Sequence, residues 1–424
     1  MNKSSVSAPR RILLVSYFYP PCTDTGAHRP SALVKYLRRA GHDVTVLTTS
    51  AYGALPSDTA EQVVRTTDAQ LWRARMHGAD HVGSLYDGDT YTGRPHPLSK
   101  LIVPEPLALA WAPFALRRAA ALNRSETFDC VVTTSPPESA HGIGRALQRR
   151  GVPWVADVRD AWTFEPLRPA FPTELQRRLD RRLEERWLGA ADVVVCVSAP
   201  AADDLRRRRI ADPVLVRNGA DPELFEAADP AAVADLLDPE RVSLVYTGRF
   251  GSAGRDPRAL VEGIRLLALE RPEDAGRLEL VVAGPLTEDE RQLFVADVAP
   301  ARITLVGSLE RGRALGLQRA ADALLLLAHP LRSQLANFKL YEYISAGPPI
   351  LALAAGTEAG AVVEAAGGEV LPAGDPASIA AGLAQVARGE LPAGDPGVRA
   401  DHAYPAVAER MAAAIELAIE RSSA

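Results

Sequence analysis

The chain has 424 residues, of which 47% are hydrophobic, and a formal net charge of -5. That length predicts two domains around large buried cores, and the mild negative charge excludes nucleic acid as the main partner. The 3 cysteines, Cys22, Cys130 and Cys196, show no CxxC spacing, which excludes a disulfide framework or a cysteine zinc site.

The stretch SAPRRILLVSYFYPP reads as a first strand and not as a twin-arginine leader, because the apolar run is short and Pro20-Pro21 end it. RPSALVKYLRRAG reads as a helix closed by Gly41, and DVTVLTT as the next strand. Leu101 to Leu122 carries Trp111, Phe114, Arg117 and Arg118 and is broken by Pro104, Pro106 and Pro113. It reads as an amphipathic helix, with peripheral contact to a bilayer as the alternative. No run of about 18 apolar residues is present, so no membrane span is expected. Further along come CVVTTS (130–135), a helix at Ala140 to Arg149, WVADV (154–158), a charged helix at Glu174 to Leu188, DVVVCVS (192–198) and PVLVRNG (213–219). Cys130 and Cys196 fall in apolar runs and read as small core residues of a reducing, cytoplasmic compartment. The clustered arginines at 177–182 and 206–209 read as solvated helix faces.

A second series follows Asp221: VSLVYTG (242–248), a helix from Pro257, LELVVAG (278–284), ITLVG (303–307), DALLLLA (322–328), a helix at Lys339 to Ser345, PILALA (349–354) and GGEVLPAG (367–374). Apolar, β-branched strands alternating with helices predict parallel α/β sheets. The acidic, Ala- and Pro-rich stretch at 221–240 marks the break. The expected division is 1–220, 221–400 and a C-terminal helix, 401–424, packing back on the first domain.

The loop after strand one holds a single glycine, Gly26, before its helix, so it lacks the GxGxxG of nicotinamide or flavin sites. A helix N-terminus after a glycine still suits a phosphate, and His28 and Arg29 add positive potential; an ordinary βα turn is the other reading. Asp157, Arg159 and Asp160 end the WVADV strand, where open α/β sheets place ligands. Ser135, Glu138 and His141 follow the preceding strand. The segment QLANFKLYEYISAG raises a question of its own. Glu342 sits one turn into a helix that is otherwise apolar on that face.

Taken in order, the Pro-Pro…Gly loop, GHDVTVLTT, TTSPPESAH, WVADVRDAW, VRNGAD, LVYTGRF, LVVAGP, ITLVGSL and KLYEYISAGPPILA resemble the retaining glycosyltransferases of the GT-B fold, the family-four group that uses sugar nucleotides. TTSPPESAH with DVRDAW is similar to the branch that decorates polysaccharides or natural products. The resemblance covers about residues 10 to 385. It implies two doubly wound Rossmann-like domains with a nucleotide-sugar cleft between them.

It also implies roles. Glu342 would accept both ribose hydroxyls, and the N–H groups of Phe338, Lys339 and Leu340 would cradle the diphosphate. Arg249 and Arg255 would bind that diphosphate and stabilise the leaving phosphate. Gly26, Gly284, Gln334 and Asn337 join the donor contacts. Gln334 stands where many such enzymes have a glutamate, and an amide cannot act as a nucleophile. His28, Arg29, Ser135, His141, Arg159 and Asp160 would meet the acceptor, with Asp160 orienting its hydroxyl. No DxD-type pair stands at a matching place, so no metal and no cofactor beyond the donor itself are expected. The implied reaction is retaining transfer of a hexosyl group to a hydroxyl acceptor, itself a polysaccharide precursor, a lipid-linked glycan or a natural product. A nucleotide-sugar epimerase of the same fold and a non-catalytic nucleotide-sugar-binding subunit are the rivals. No carboxylate pair suited to a retaining hydrolase is evident.

Overall fold

The computed structural model describes residues 8–71, 100–168, 170–251, 254–295 and 297–424. It divides into two compact units, residues 1–217 with 404–424 and residues 218–403.

The first unit contains β1 (Arg11–Val15), α1 (His28–Arg39), β2 (Asp43–Thr49), β3 (Val63–Thr66), α2 (Ala112–Glu126), β4 (Cys130–Ser135), α3 (Ser139–Gln148), β5 (Trp154–Val158), α4 (Glu174–Leu188), β6 (Val193–Cys196) and β7 (Val214–Leu215). The strands form one parallel sheet in the order β3-β2-β1-β4-β5-β6-β7. Both faces are covered, which is why the strands are apolar at consecutive positions such as Ile12–Val15 and Val193–Cys196. Trp111, Trp154 and Trp162 are the largest buried side chains of this core. The C-terminal helix Tyr404–Ser423 packs against α1, β4, β5 and β6, burying Val407, Met411 and Ile415. Arg10 clasps it with a two-pronged bond to Glu416 at 2.8 and 2.7 Å.

The second unit contains β8 (Val242–Thr247), β9 (Leu278–Ala283), β10 (Arg302–Gly307), α5 (Arg311–Ala320), β11 (Ala323–Leu327), α6 (Phe338–Ala346), β12 (Ile350–Leu353) and β13 (Glu369–Leu371). Its parallel sheet runs β10-β9-β8-β11-β12-β13. Alternate residues feed two cores. Leu244, Leu280 and Val282 pack on one face with Leu325 and Leu351; Val245, Val281, Leu324 and Leu326 pack on the other.

Helices Glu288–Phe294, Glu358–Ala365 and Pro376–Arg388 were not among the expected elements, and two elements of the first unit also differ from the expected string. The amphipathic helix over 101–122 is broken into a short turn, Leu107–Ala110, and α2, and Trp111 between them is fully buried with its indole N–H on Thr66 Oγ1 at 2.9 Å. Strand β3 has no counterpart in the sequence reading; VVRT is short, carries an arginine and lies at the sheet edge. Among the described residues no helix is long and apolar enough to cross a membrane.

Candidate active site

In each sheet the strand order reverses once, between β1 and β4 and between β8 and β11. Loops leaving the carboxyl ends of such strands part there, and ligands bind in the resulting crevice.

In the second unit, the loop after β8 carries Gly248 and Arg249. Gly248 N–H continues the ladder to Ala283 O at 2.8 Å, and Gly284 N–H does the same to Gly307 O at 2.8 Å. The two glycines touch so closely that a Cβ on Gly284 would lie 1.9 Å from Gly248 O, so any side chain there would push the loops apart. Tyr246 Oη donates to Arg249 O at 2.7 Å. Arg255 donates from Nε to Leu327 O at 2.9 Å and from Nη1 to Arg249 O at 3.3 Å. Arg255 therefore ties the β8 loop to the end of β11, while the half-buried Arg249 guanidinium makes no ion pair among the described residues. At Gly254, φ is +74°, and a Cβ would lie 1.9 Å from His329 Nε2. His329 Nδ1 accepts from Leu331 N–H at 3.0 Å, which in the neutral ring puts the proton on Nε2.

Helix α6 begins at the end of the β11 loop. Asn337 is its N-cap and accepts from Leu340 N–H at 3.1 Å. That bond commits the Leu340 N–H, one of the three expected to cradle a diphosphate, to the cap. Tyr341 and Tyr343 are core residues. Tyr343 Oη accepts from Thr247 N–H at 2.9 Å, locking α6 onto the end of β8, and burial pushes its phenol well above the usual range. Gly347 ends the helix at φ +106°, the left-handed cap conformation.

Glu342, between the tyrosines, is buried but not in an apolar setting. Its Oε2 accepts from Lys339 Nζ at 2.8 Å and its Oε1 meets Arg311 Nη1 at 2.9 Å. The Glu342 side chain is 2% exposed, whereas Arg311 and Lys339 are 43% and 33% exposed. A carboxylate is thus held below the surface by two cations that reach solvent. Gln334, also buried, lies in the loop leading to the helix.

In the first unit, Arg159 joins two other expected positions, Gly26 and Ser135. Its Nε donates to Ser135 O at 2.9 Å, its Nη2 to Pro136 O at 2.8 Å, and its Nη1 to Gly26 O. It is 9% exposed and acts as a staple across the loops after β1, β4 and β5. Asp160 follows it, half-buried, at the rim. Arg29 is not a surface contact. It is buried against Asp157, at 3.1 Å from Nε and 2.8 Å from Nη2, and also donates to Val216 O and Arg217 O at 3.0 Å each. Thr134 Oγ1 completes the Asp157 shell at 2.8 Å. His28 begins α1 and is half-buried.

His141 lies apart from these residues. It is fully buried, its Nδ1 shares a 2.8 Å bond with Thr133 Oγ1, and Thr133 in turn accepts from Trp154 Nε1 at 2.8 Å. Its Nε2 has no partner among the described residues, and burial pushes the imidazole down to about 4. A neutral core histidine of this kind is not placed to meet an acceptor.

The sequence reading missed Arg311, Tyr343 and the Lys339 ammonium as partners in the site. Lys339 stands three residues before Glu342 and was legible as a helical pair. Arg311 comes from a different helix, and no spacing rule reaches it. Among the described residues no three His, Cys, Asp or Glu side chains group as metal ligands.

Two parallel, doubly wound units of this kind define the GT-B fold, and solved structures share it. A sucrose-phosphate synthase from Thermosynechococcus elongatus matches with TM-score 0.61 at 17% identity, covering 95% of this chain and 98% of that one. HepE from Anabaena, solved in complex with UDP-glucose, matches with TM-score 0.58 at 15% identity, covering 96% and 99%. A Listeria monocytogenes protein assigned as a UDP-N-acetylglucosamine 2-epimerase matches with TM-score 0.54 at 16% identity, covering 96% of each. The model of Glycosyltransferase Family 4 matches residues 31–224, most of the first unit. The family match thus falls on the first unit, while the likeness to the solved structures, which extends over both units, is one of fold. No curated protein matches the sequence.

Proposed function

We propose that the protein transfers a hexosyl group from a nucleoside-diphosphate sugar to a hydroxyl acceptor, with retention of configuration and without a metal. The observation that carries this reading is Glu342, a buried carboxylate one turn into α6, held by Lys339 and Arg311 beside the switch point of the second sheet. A ribose offers two adjacent hydroxyl donors, and one carboxylate accepts both. HepE was solved with UDP-glucose, which supports a uridine diphosphate sugar as the first donor to try.

The diphosphate would lie against the start of α6, with Arg249 and Lys339 supplying charge. As the bond from sugar C1 to the phosphate oxygen breaks, negative charge grows on that oxygen. A cation fixed there stabilises the transition state more than the ground state. Arg249 fits that role. Arg255, with two donors already on backbone carbonyls, holds the loop that presents it. The acceptor oxygen attacks C1 on the face the phosphate leaves, and its proton passes to the departing phosphate. Gln334 would touch donor-sugar hydroxyls. The acceptor, whether a polysaccharide precursor, a lipid-linked glycan or a natural product, would meet the loops stapled by Arg159, with Asp160 orienting its hydroxyl.

A cytoplasmic location with peripheral membrane contact belongs to this reading. Its surface would be the segment from Leu101 to Leu122, where Leu101 and Leu109 are exposed.

The test is incubation with UDP-glucose and a panel of hydroxyl acceptors, with and without EDTA. Phosphorus NMR would follow free UDP and proton NMR the anomeric configuration. Acceptor-dependent UDP release with an α-linked product in EDTA is expected. An inverted product or a magnesium requirement overturns the corresponding part. Conversion of a UDP-sugar to an epimer without acceptor would make the protein an isomerase.

A further inference from the structure

Strand β8 is in register with β9 as far as Thr247, but with β11 only at Leu244 and Val245. The ladder on the β11 side therefore stops before the crevice. In a parallel sheet the N–H groups of successive residues point to opposite neighbours. Gly248 N–H goes to Ala283 O on the β9 side, so the Thr247 N–H faces the side from which β11 has parted. Thr247 is buried, and a buried N–H without a partner is costly. Tyr343 of α6 stands in for the missing strand: its Oη accepts that N–H at 2.9 Å.

Three elements meet at this hydroxyl. Thr247 Oγ1 lies 3.3 Å from Tyr343 Oη and accepts from Gln318 Nε2 of α5 at 2.9 Å. Tyr343 and Gln318 are fully buried, so they act through Thr247 and not on a ligand. Two residues beyond Thr247 stands Arg249, whose carbonyl is held by Tyr246 and Arg255. The backbone is thus fixed on both sides of the Arg249 side chain. The Tyr343 bond joins the loop that carries this cation to the helix at whose start the diphosphate would lie. A cation lowers the barrier only where charge develops, and a misplacement of about 1 Å can cost about a hundredfold in rate.

We propose that Tyr343 is a positioning residue for the transfer step. Its hydroxyl closes the broken edge of β8 and thereby sets Arg249 relative to α6, so it serves the transition state more than nucleotide binding. The inference rests on the reading of Arg249 as the cation at the leaving phosphate. Gln318 supports the same junction from α5.

The experiment measures UDP release from UDP-glucose with an acceptor that supports turnover, and UDP affinity by isothermal titration. The proteins are the wild type, Tyr343→Phe, Arg249→Ala and the double variant. Ile264→Val, a core change on the other face of the sheet, controls for lost stability. Tyr343→Phe should lower kcat about tenfold or more and change the UDP Kd by less than about threefold. In the Arg249→Ala background the same substitution should change kcat by less than about twofold, because the group it positions is gone. Gln318→Ala should repeat this pattern at smaller size, and it decides the question if Tyr343→Phe does not fold. Equal factors in the two backgrounds, a kcat no lower than that of Ile264→Val, or a loss confined to UDP affinity overturns the proposal and leaves the reading of Arg249 intact. Wild-type kcat in Arg249→Ala, or no UDP release by the wild type, removes that reading and this inference with it.

Discussion

At the residue scale, charges in similar motif positions do different physical jobs. Arg249 and Arg255 both look like phosphate ligands in the sequence, yet only Arg249 keeps a guanidinium clear of carbonyl partners among the described residues. Arg249→Ala should therefore lower kcat by tenfold or more at saturating donor, about 1.4 kcal/mol or above, with a smaller change in donor KM. Arg255→Lys keeps the charge but cannot span Leu327 O and Arg249 O together, and it should lower kcat as well. Steady-state kinetics on both variants separates the cases. Full activity in Arg255→Lys would return Arg255 to simple charge donation.

His141 contributes a pH dependence to the first unit. Its imidazole titrates near 4 in the fold because burial disfavours the cation, against about 6.5 in an unfolded chain. Between these values the unfolded chain binds a proton that the folded chain does not, so stability is complete above about pH 6.5 and falls as the pH drops through the window. The full span corresponds to about 3 kcal/mol. His141→Asn removes this titration. The stability gap between wild type and variant should shrink by about 2 kcal/mol between pH 6.5 and 5 in urea melts, and a gap independent of pH would place the acid sensitivity elsewhere.

At the element scale, α6 shows what a sequence carries and what it does not. The helix itself is legible: Asn337 caps it, Gly347 ends it in the left-handed conformation, and the strand Ile350–Leu353 follows at once. Asn337→Ala removes the bond to Leu340 N–H and should cost about 1 kcal/mol of stability in the second unit. It also frees an N–H that the diphosphate could use. Nucleotide affinity measured beside thermal stability tells whether the cap or the ligand has first claim on it, and weaker stability with unchanged or tighter binding is expected. Helix α4 was readable to its ends, since the Thr173 and Gln176 capping box opens it. The strands were readable as apolar runs because parallel sheets are buried on both faces. Pairs between distant elements were not readable. Arg311 with Glu342 and Arg29 with Asp157 arise from packing, and Arg29, read as positive potential for a ligand, turns inward to a carboxylate and two carbonyls. His141 failed for a related reason: a helix start after a strand can aim a side chain at the core as readily as at a crevice.

At the scale of the whole molecule, each unit has its own core, but the first depends on a helix from the far end of the chain. Val407, Met411, Ile415 and Ala418 of that helix are fully buried against α1 and the sheet. Removing it exposes the strands beneath. Burying one large aliphatic side chain contributes about 1.5–3 kcal/mol, so the loss of Val407, Met411 and Ile415 alone approaches the whole stability of a typical domain, about 5–15 kcal/mol. Truncation after Ala403 should therefore unfold the first unit. The second should survive, because its first and last segments meet within it: Ala220 bridges Ala403, and Ala220 N–H donates to His402 O at 3.0 Å. All 5 tryptophans of the chain, Trp72, Trp111, Trp154, Trp162 and Trp187, precede Arg217, so tryptophan emission reports the first unit alone. The truncated chain should show solvent-exposed emission with no cooperative thermal transition. Yet Arg249, Arg311, Lys339 and Glu342 all lie between 218 and 403, so it should still bind UDP, with nucleotide raising the resistance of the second unit to proteolysis in proportion to RT ln(1 + [L]/Kd). A wild-type tryptophan melt in the truncated chain would show that the helix is dispensable. Loss of UDP binding alongside loss of the first unit would show that the donor site needs more than the second unit supplies.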